Sequence, residues 1–386
     1  MLYKSIIRPL LFKLDPETAH KFTLRCLRFN ASFPFGRAIT RLNFKRSYPS
    51  LKREVFGIEF PNPVGLAGGL DKDGEYYNLL SDLGFGFVEI GSLTTAPQDG
   101  NHKPRLWRLP KDRALVNHMG INNKGIINAI EHIKAEKPDV IIVGNISKLA
   151  SALGDDIPRD YIKAFSLIYD FVDMIVVNVS CPNVEGLTNL QDITFLSDIM
   201  DDILDRRMGM EKRKPVLVKI SPDLDLRQVD EIVQYCRSNG VDGIVAGNTT
   251  RSRSGLSTSE VELSTMEGGL SGAPLFERTL KMVSHIYEQT SGRLPVVGCG
   301  GITTPAQAKM VLDAGASLVE VYTGFIYEGP AFVRRILKFL NNSIEAEKAQ
   351  ASAEEPAPIQ DIEAPKENIA SPEEPQEAAS PIEAQE

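Results

Sequence analysis

Met174-Ile-Val-Val-Asn-Val-Ser-Cys-Pro-Asn183 opens on four apolar residues and closes on small polar ones. A strand buried on both faces reads as a near-continuous apolar run, and that is how residues 174–180 read. Seven further runs share this build: 63–69, 86–92, 140–147, 215–221, 243–249, 295–301 and 318–324. Each is dense in Val and Ile, and most end in Gly, Ser, Thr, Asn or Lys. Stretches with helical spacing separate them. The one at 225–238 stops at Asn239-Gly240, and the one at 304–314 stops at Ala314-Gly315; glycine is the usual helix stop.

Strands alternating with helices predict an α/β fold with a parallel sheet. Eight units in so short a span suit a closed (β/α)8 TIM barrel, with an open doubly wound sheet as the competing arrangement. Polar residues gather where strand after strand ends: Lys72, Ser92, Asn145, Asn178, Lys219 and Asn248. In a barrel that rim is the catalytic face, so the pattern points to a site.

The chain has 386 residues, 42% hydrophobic and 24% charged, which is ordinary for a globular protein. Its net charge of -8 conceals two opposed ends. Residues 1–46 carry ten Lys/Arg against Asp15 and Glu17, while residues 343–386 carry twelve acids against Lys348 and Lys366. That tail holds six prolines and few large apolar residues, so it is expected to be disordered. The predicted organisation is an N-terminal helical extension over 1–46, a barrel over 47–342 and the acidic tail over 343–386.

In the extension, Leu2, Ile6 and Leu10 alternate with Lys4, Arg8 and Lys13, and a second stretch over 16–29 repeats the style. Two basic amphipathic helices fit this pattern. They either cap the barrel or lie apolar face down on an anionic membrane surface. No run is long and apolar enough to span a bilayer. No signal-peptide layout opens the chain, because charges interrupt every apolar run. Cys26, Cys181, Cys236 and Cys299 are far apart, form no metal-ligand spacing and suit a reducing compartment. Neither a metal nor a nucleic-acid partner is expected.

The loops carry the chemistry. Gly298-Cys-Gly-Gly-Ile302 and Tyr322-Thr-Gly324 follow the last two strands, where barrels commonly bind a phosphate. Gly68-Gly-Leu-Asp-Lys72 offers small residues on which a flat ring can lie, with a cation at its edge. Lys219 sits inside the apolar run Val216-Leu-Val-Lys-Ile220, where burial without a purpose is costly. Asn117, Asn178, Asn183 and Asn248 suit a small ring bearing alternating N–H and C=O groups. Cys181 is either a buried small apolar residue or a proton acceptor on the catalytic face, and the barrel could bring His118 beside it.

These stretches together resemble the dihydroorotate dehydrogenases, over residues 3–29 and 55–330. The matching segments include Leu14-Asp-Pro-Glu-Thr-Ala-His20, Asn62-Pro-Val-Gly-Leu-Ala-Gly-Gly-Leu-Asp-Lys-Asp-Gly74 and Gly84-Phe-Gly-Phe-Val-Glu-Ile-Gly-Ser92. Gly100-Asn-His-Lys-Pro-Arg-Leu-Trp-Arg-Leu109, Asn178-Val-Ser-Cys-Pro-Asn183, Asn248-Thr-Thr250 and Gly268-Gly-Leu-Ser-Gly272 complete the set. The N-terminal extension resembles that of the membrane-associated, quinone-reducing class 2.

The resemblance implies oxidation of (S)-dihydroorotate to orotate in pyrimidine biosynthesis, with one FMN per chain and a membrane quinone as acceptor. It places the protein peripherally on the cytoplasmic face of the cell membrane. By the same resemblance FMN lies over Gly68, Gly69, Leu70 and Asp71 and contacts Lys72, Ser92, Asn145, Asn178, Lys219 and Gly247. Its phosphate meets Gly272, Gly301, Tyr322 and Thr323. Substrate is held by Lys72, Asn117, Asn178, Asn183, Asn248 and Thr249, and by the backbone of His118, Met119, Gly120 and Ile121. Cys181 is the base, and His20 and Arg108 lie near the quinone.

The chain departs from the class 2 pattern at several positions. Cys181 stands where class 2 usually has Ser, as in the soluble class 1 enzymes. Val184, Ile121, His118 and Gly247 replace a usual Thr, Phe, Arg and Thr. A thiol loses its proton far more easily than a serine hydroxyl. The competing functions are the same oxidation with a soluble acceptor such as fumarate, a phosphosugar isomerase on this barrel, and a non-catalytic membrane-docked scaffold.

Overall fold

In a computed structural model, strands form within all eight Val/Ile runs: β1 (Val64–Leu66), β2 (Phe87–Leu93), β3 (Ile141–Ile146), β4 (Met174–Asn178), β5 (Val216–Ile220), β6 (Gly243–Ala246), β7 (Val296–Cys299) and β8 (Leu318–Val321). Every neighbouring pair is parallel, the order follows the chain, and β8 pairs back onto β1 through Val319 and Val64. Closure rules out the open sheet and leaves the barrel without edges. The structure describes residues 2–181, 183 and 191–354.

The crossover helices start and stop where the sequence provides for it. Asp225 and Gln228 form a capping box that opens Leu226–Asn239, and Gly240 ends that helix at φ 76°. Thr304 and Gln307 do the same for Pro305–Asp313, with Pro305 at the first turn. Each cap satisfies backbone N–H groups that have no partner within the helix.

Side chains two apart on a strand share a face, so the barrel interior is built in layers. The lower layer is apolar: Phe87, Val143, Val176, Leu217 and Leu318 belong to one buried cluster. A hairpin, Arg53–Val55 with Ile58–Phe60, adds Val55 and Phe60 to that cluster, and the Phe60 ring meets Phe87 edge-on at 5.4 Å. Two residues further along the same five strands stand Glu89, Asn145, Asn178, Lys219 and Glu320, all buried. A second sheet, antiparallel, joins Leu106–Leu109, Ala114–Asn117 and Gly269–Gly272.

The extension holds three helical segments where two were expected. A turn of π-helix, Tyr3–Ile7, runs into α1 (Arg8–Phe12); α2 (Pro16–Ser32) is capped by Asp15; and α3 (Gly36–Phe44) follows. Distant groups hold α3: Arg37 pairs with Asp82 at 2.7 Å and Asp139 at 3.0 Å, and Arg41 reaches both acids. The expected start of the disordered tail is also corrected. The last helix runs from Phe332 to Glu354, so residues 343–354 are helical. Ala, Glu, Lys and Gln dominate that stretch and the first proline is Pro356, so local propensity favours a helix there. The rest of the expected tail, 355–386, lies outside the described residues. Extension and barrel belong to one compact unit, Met1–Ile344.

Candidate active site

A cavity of about 760 Å³ opens over the C-terminal ends of the strands and reaches the α2 residues His20, Leu24, Arg25 and Arg28. Its floor is the polar layer of the barrel. Lys219 Nζ donates to Glu89 Oε1 at 2.7 Å and lies 3.5 Å from Glu320 Oε2. Asn145 Nδ2 donates to the same Glu89 oxygen at 2.6 Å. Burial opposes the Lys219 charge, but the two carboxylates outweigh it and hold the ammonium above the ordinary lysine range.

The amides of the rim form a connected set. Asn178 Nδ2 donates to Ser92 Oγ at 2.8 Å, and Asn178 Oδ1 accepts from Ser180 N at 3.2 Å and Ser180 Oγ at 3.1 Å. Asn248 Nδ2 donates to Ser180 Oγ at 2.9 Å, and Asn183 Nδ2 to Asn117 Oδ1 at 2.7 Å. Lys72 Nζ donates to Asn122 Oδ1 at 2.5 Å; burial lowers its pKa to about 8. Burial pushes the Cys181 thiol up to about 11, against the opposing pull of Asn183 N–H and the Lys72 charge.

The sequence-predicted cofactor residues all line this cavity: Gly68 to Lys72, Ser92, Asn145, Asn178, Lys219, Gly247, Gly272, Gly301, Tyr322 and Thr323. So do Cys181, Asn117, Met119, Ile121, Asn183, Asn248, Thr249 and His20. His118, Gly120 and Arg108 are not among the lining residues. His118 N–H donates to Arg105 O at 2.8 Å, and its Nε2 lies 3.6 Å from a Glu267 carboxylate oxygen. The Gly120 carbonyl accepts from Gln98 at 3.1 Å. Arg108 stacks on Phe12 at 4.6 Å and donates to the Leu14 carbonyl at 2.7 Å, so it ties α1 to the sheet. Burial, with Lys72 nearby, lowers the His20 pKa to about 4, which makes it a neutral imidazole at pH 7. Val184, one of the departures from the class 2 pattern, lies outside the described residues.

Several lining residues were not foreseen. Glu89 and Glu320 carried the same signal as Lys219, a charge two residues after an inward apolar side chain. Cys299 and Ser271 also line the cavity, as does Arg105, which pairs with Glu17 of α2 at 2.8 Å. Ile121 sits at φ 54°, a left-handed conformation that costs a β-branched residue about 1–3 kcal/mol.

The site suits a flat polar ring system with a phosphate. Asn145 Oδ1, Asn183 Oδ1 and Thr249 Oγ1 are buried and meet no hydrogen-bond partner within the described residues; such atoms call for a ligand. At Gly68 a Cβ would lie 2.4 Å from Glu89 Oε1, so only glycine leaves room above the floor. Gly301 has φ 73°, and a Cβ there would fall 2.2 Å from Phe276 N. Gly300, Gly301 and Gly324 line the cavity beside Thr323, whose hydroxyl meets Ser271 Oγ at 2.8 Å, a backbone-rich setting of the kind that suits a phosphate.

The family model of dihydroorotate dehydrogenase matches residues 50–344. A relative from Christiangramia forsetii, "Dihydroorotate dehydrogenase (quinone)", is 43% identical over 87% of this chain and 97% of its own. A Coxiella burnetii protein of the same description is 42% identical over 89% of this chain and 98% of its own. Among solved structures, DHODH from Eimeria tenella in complex with ferulenol superposes with a TM-score of 0.79 at 32% identity, covering 87% of this chain and 93% of that one. With its closed barrel, a family model matched over residues 50–344 and relatives aligned over nearly their full length, this chain belongs to the dihydroorotate dehydrogenase family.

Proposed function

We propose that this chain oxidises (S)-dihydroorotate to orotate in de novo pyrimidine (UMP) biosynthesis, with FMN as cofactor and a membrane quinone as acceptor. The observation that carries this reading is one continuous cavity that brings together Cys181, Lys72, the four asparagines and His20 of α2. FMN would be held over Gly68, Gly69 and Leu70, with Ser92, Asn145, Asn178 and Lys219 at its ring and Gly272, Gly301, Tyr322 and Thr323 at its phosphate. Bound there, FMN would supply the hydride acceptor for dihydroorotate oxidation and the route for electrons to quinone.

The chain's own residues do the rest. Lys72 places a cation for the substrate carboxylate, and Asn117, Asn178, Asn183 and Asn248 supply donors and acceptors to its ring amides. Cys181 Sγ takes the proton from the ring carbon next to the one that loses hydride, so proton and hydride leave adjacent carbons. Burial keeps that thiol protonated at neutral pH, so its action as base gains as pH rises toward about 11. Cys181 thereby joins a class 1-like base to a class 2 body. Fumarate as acceptor is the weaker reading, because the full-length relatives are described as quinone enzymes.

The extension supports a peripheral place on the cytoplasmic face of the membrane. Of 20 exposed large apolar side chains among the described residues, 11 lie between Leu2 and Leu42, where basic residues are also concentrated. No helix of the described residues is long and apolar enough to cross a membrane.

Anaerobic mixing with dihydroorotate, followed by a short-chain quinone, tests the reading. The flavin absorbance is expected to bleach and then recover with quinone. Recovery with fumarate and not with quinone would reverse the acceptor. Cys181→Ala is expected to slow bleaching by about 10²–10⁴-fold, and full rates in Cys181→Ser across pH would remove Cys181 as the base.

A further inference from the structure

Glu89 from β2, Lys219 from β5, Cys299 from β7 and Glu320 from β8 meet at the floor of the cavity, with Asn145 from β3 beside them. Their hydrogen bonds are unequal. Glu89 Oε1 takes donors from Lys219 at 2.7 Å and Asn145 at 2.6 Å, whereas Glu320 has the longer 3.5 Å contact to Lys219 and hydrogen-bonding contacts with Glu89 and the Cys299 thiol. The other Glu89 oxygen, Oε2, is buried and receives no hydrogen bond from any N–H or hydroxyl of the described residues. Two ionised carboxylates against one ammonium would leave a unit of negative charge buried without a counter-ion. Packed carboxylates avoid this by keeping one proton.

We propose that Glu89 and Glu320 carry a single negative charge between them, with the remaining proton on Glu320 and donated in a hydrogen bond to Glu89 Oε2. Glu320 is then a positioning residue: it satisfies the buried Glu89 oxygen and holds Glu89 ionised against Lys219. The cluster is electrically neutral as a whole, with its ammonium fixed at the cavity floor. Burial first, and then the Glu89 charge, push the Glu320 carboxyl well above the carboxylate range, while Lys219 opposes them. Cys299, the remaining titratable neighbour, is likewise held as a thiol by burial. A thiol and a carboxylic acid add no charge beside the ion pair.

The reading rests on the flavin site proposed above, and its test separates the two. Infrared spectra of the full-length holoprotein at pH 8 are expected to show the carbonyl stretch of a protonated carboxyl; Asp71, at about 6, is ionised there. Glu320→Gln removes that band. Glu89→Gln removes it too, because Glu320 then becomes the counter-ion of Lys219 and ionises. Absence of the band in the wild type, or its survival in either variant, overturns the proposal. Should one variant fail to fold, the other decides.

The flavin midpoint potential gives a second readout. Each single variant keeps the net charge of the cluster, so the equilibrium constant for two-electron reduction stays within tenfold of wild type, about 30 mV. A rise of tenfold or more in either variant would show both acids ionised and overturn the proposal. If the purified wild type carries no flavin, the functional reading fails while the infrared result still locates the proton.

Discussion

In the upper barrel Glu89, Lys219 and Glu320 are at most 4% exposed, whereas in the extension Leu2, Phe29, Phe35 and Leu42 are at least 64% exposed. Both regions invert the usual placement of charged and apolar residues. The barrel charges find their counter-ions within the fold, across three strands. The extension's apolar groups stay largely exposed, although Phe29 packs edge-on against Phe33 at 4.8 Å. Buried charge lines the floor of the cavity, and exposed apolar surface is concentrated in the extension.

Removing a counter-ion is the most severe way to break this comparison. Lys219→Met leaves Glu89 and Glu320 without their cation and is expected to cost about 3–5 kcal/mol of stability, together with loss of bound flavin. Leu217→Ala, two residues earlier in the lower layer, is expected to cost about 2–5 kcal/mol with flavin retained. Denaturant melts and flavin absorbance of the two variants check this. Equal flavin retention would show that the upper layer is only structural.

The second test uses pH at the cavity mouth, where Lys72 is half-buried and has no carboxylate as close as those of Lys219. Its pKa is lowered from the ordinary lysine value to about 8 by burial. A depressed lysine is charged below that value and neutral above it, so attraction for an anionic substrate is present below pH 8 and lost as pH rises through it. Orotate binding is expected to weaken up to about tenfold per pH unit above 8, measured by flavin spectral titration. Lys219, held above its ordinary range, contributes no such change there. Lys72→Met should bind weakly with a flat profile; a sloping one would move the titration to another group.

Much of this contrast was legible in the residues. The eight strands stand out because burial on both faces demands unbroken Val/Ile runs, and Lys219 stands out because it interrupts one. Glu89 and Glu320 interrupt theirs in the same register, so the information was present but went unused. Other features depend on distant partners. Helix α3 is held by Asp82 and Asp139, and α2 is tied down where Glu17 meets Arg105, 88 positions away. The contacts that tie Arg108 to α1 are of the same kind, since they are made to the Phe12 ring and to backbone carbonyls of that helix and the turn after it. No spacing rule carries such contacts. The helical 343–354 was masked by averaging it with the proline-rich residues beyond.

The smallest effect lies at the exposed surface, where charge and apolar area act together. Lys13 is exposed at the end of α1, beside the exposed Leu14. A lysine near an anionic bilayer contributes about 1 kcal/mol, so Lys13→Gln is expected to weaken binding to vesicles containing anionic lipid by about fivefold. Binding to neutral vesicles should not change, since apolar insertion is untouched. Co-sedimentation at two ionic strengths separates the terms, because added salt screens the lysine contribution and leaves the apolar one. An equal loss on neutral vesicles would mean that the substitution disturbs α1 itself. No loss on either would assign the basic face to the barrel cap and leave Leu10, Leu14 and Phe35 as the membrane contact.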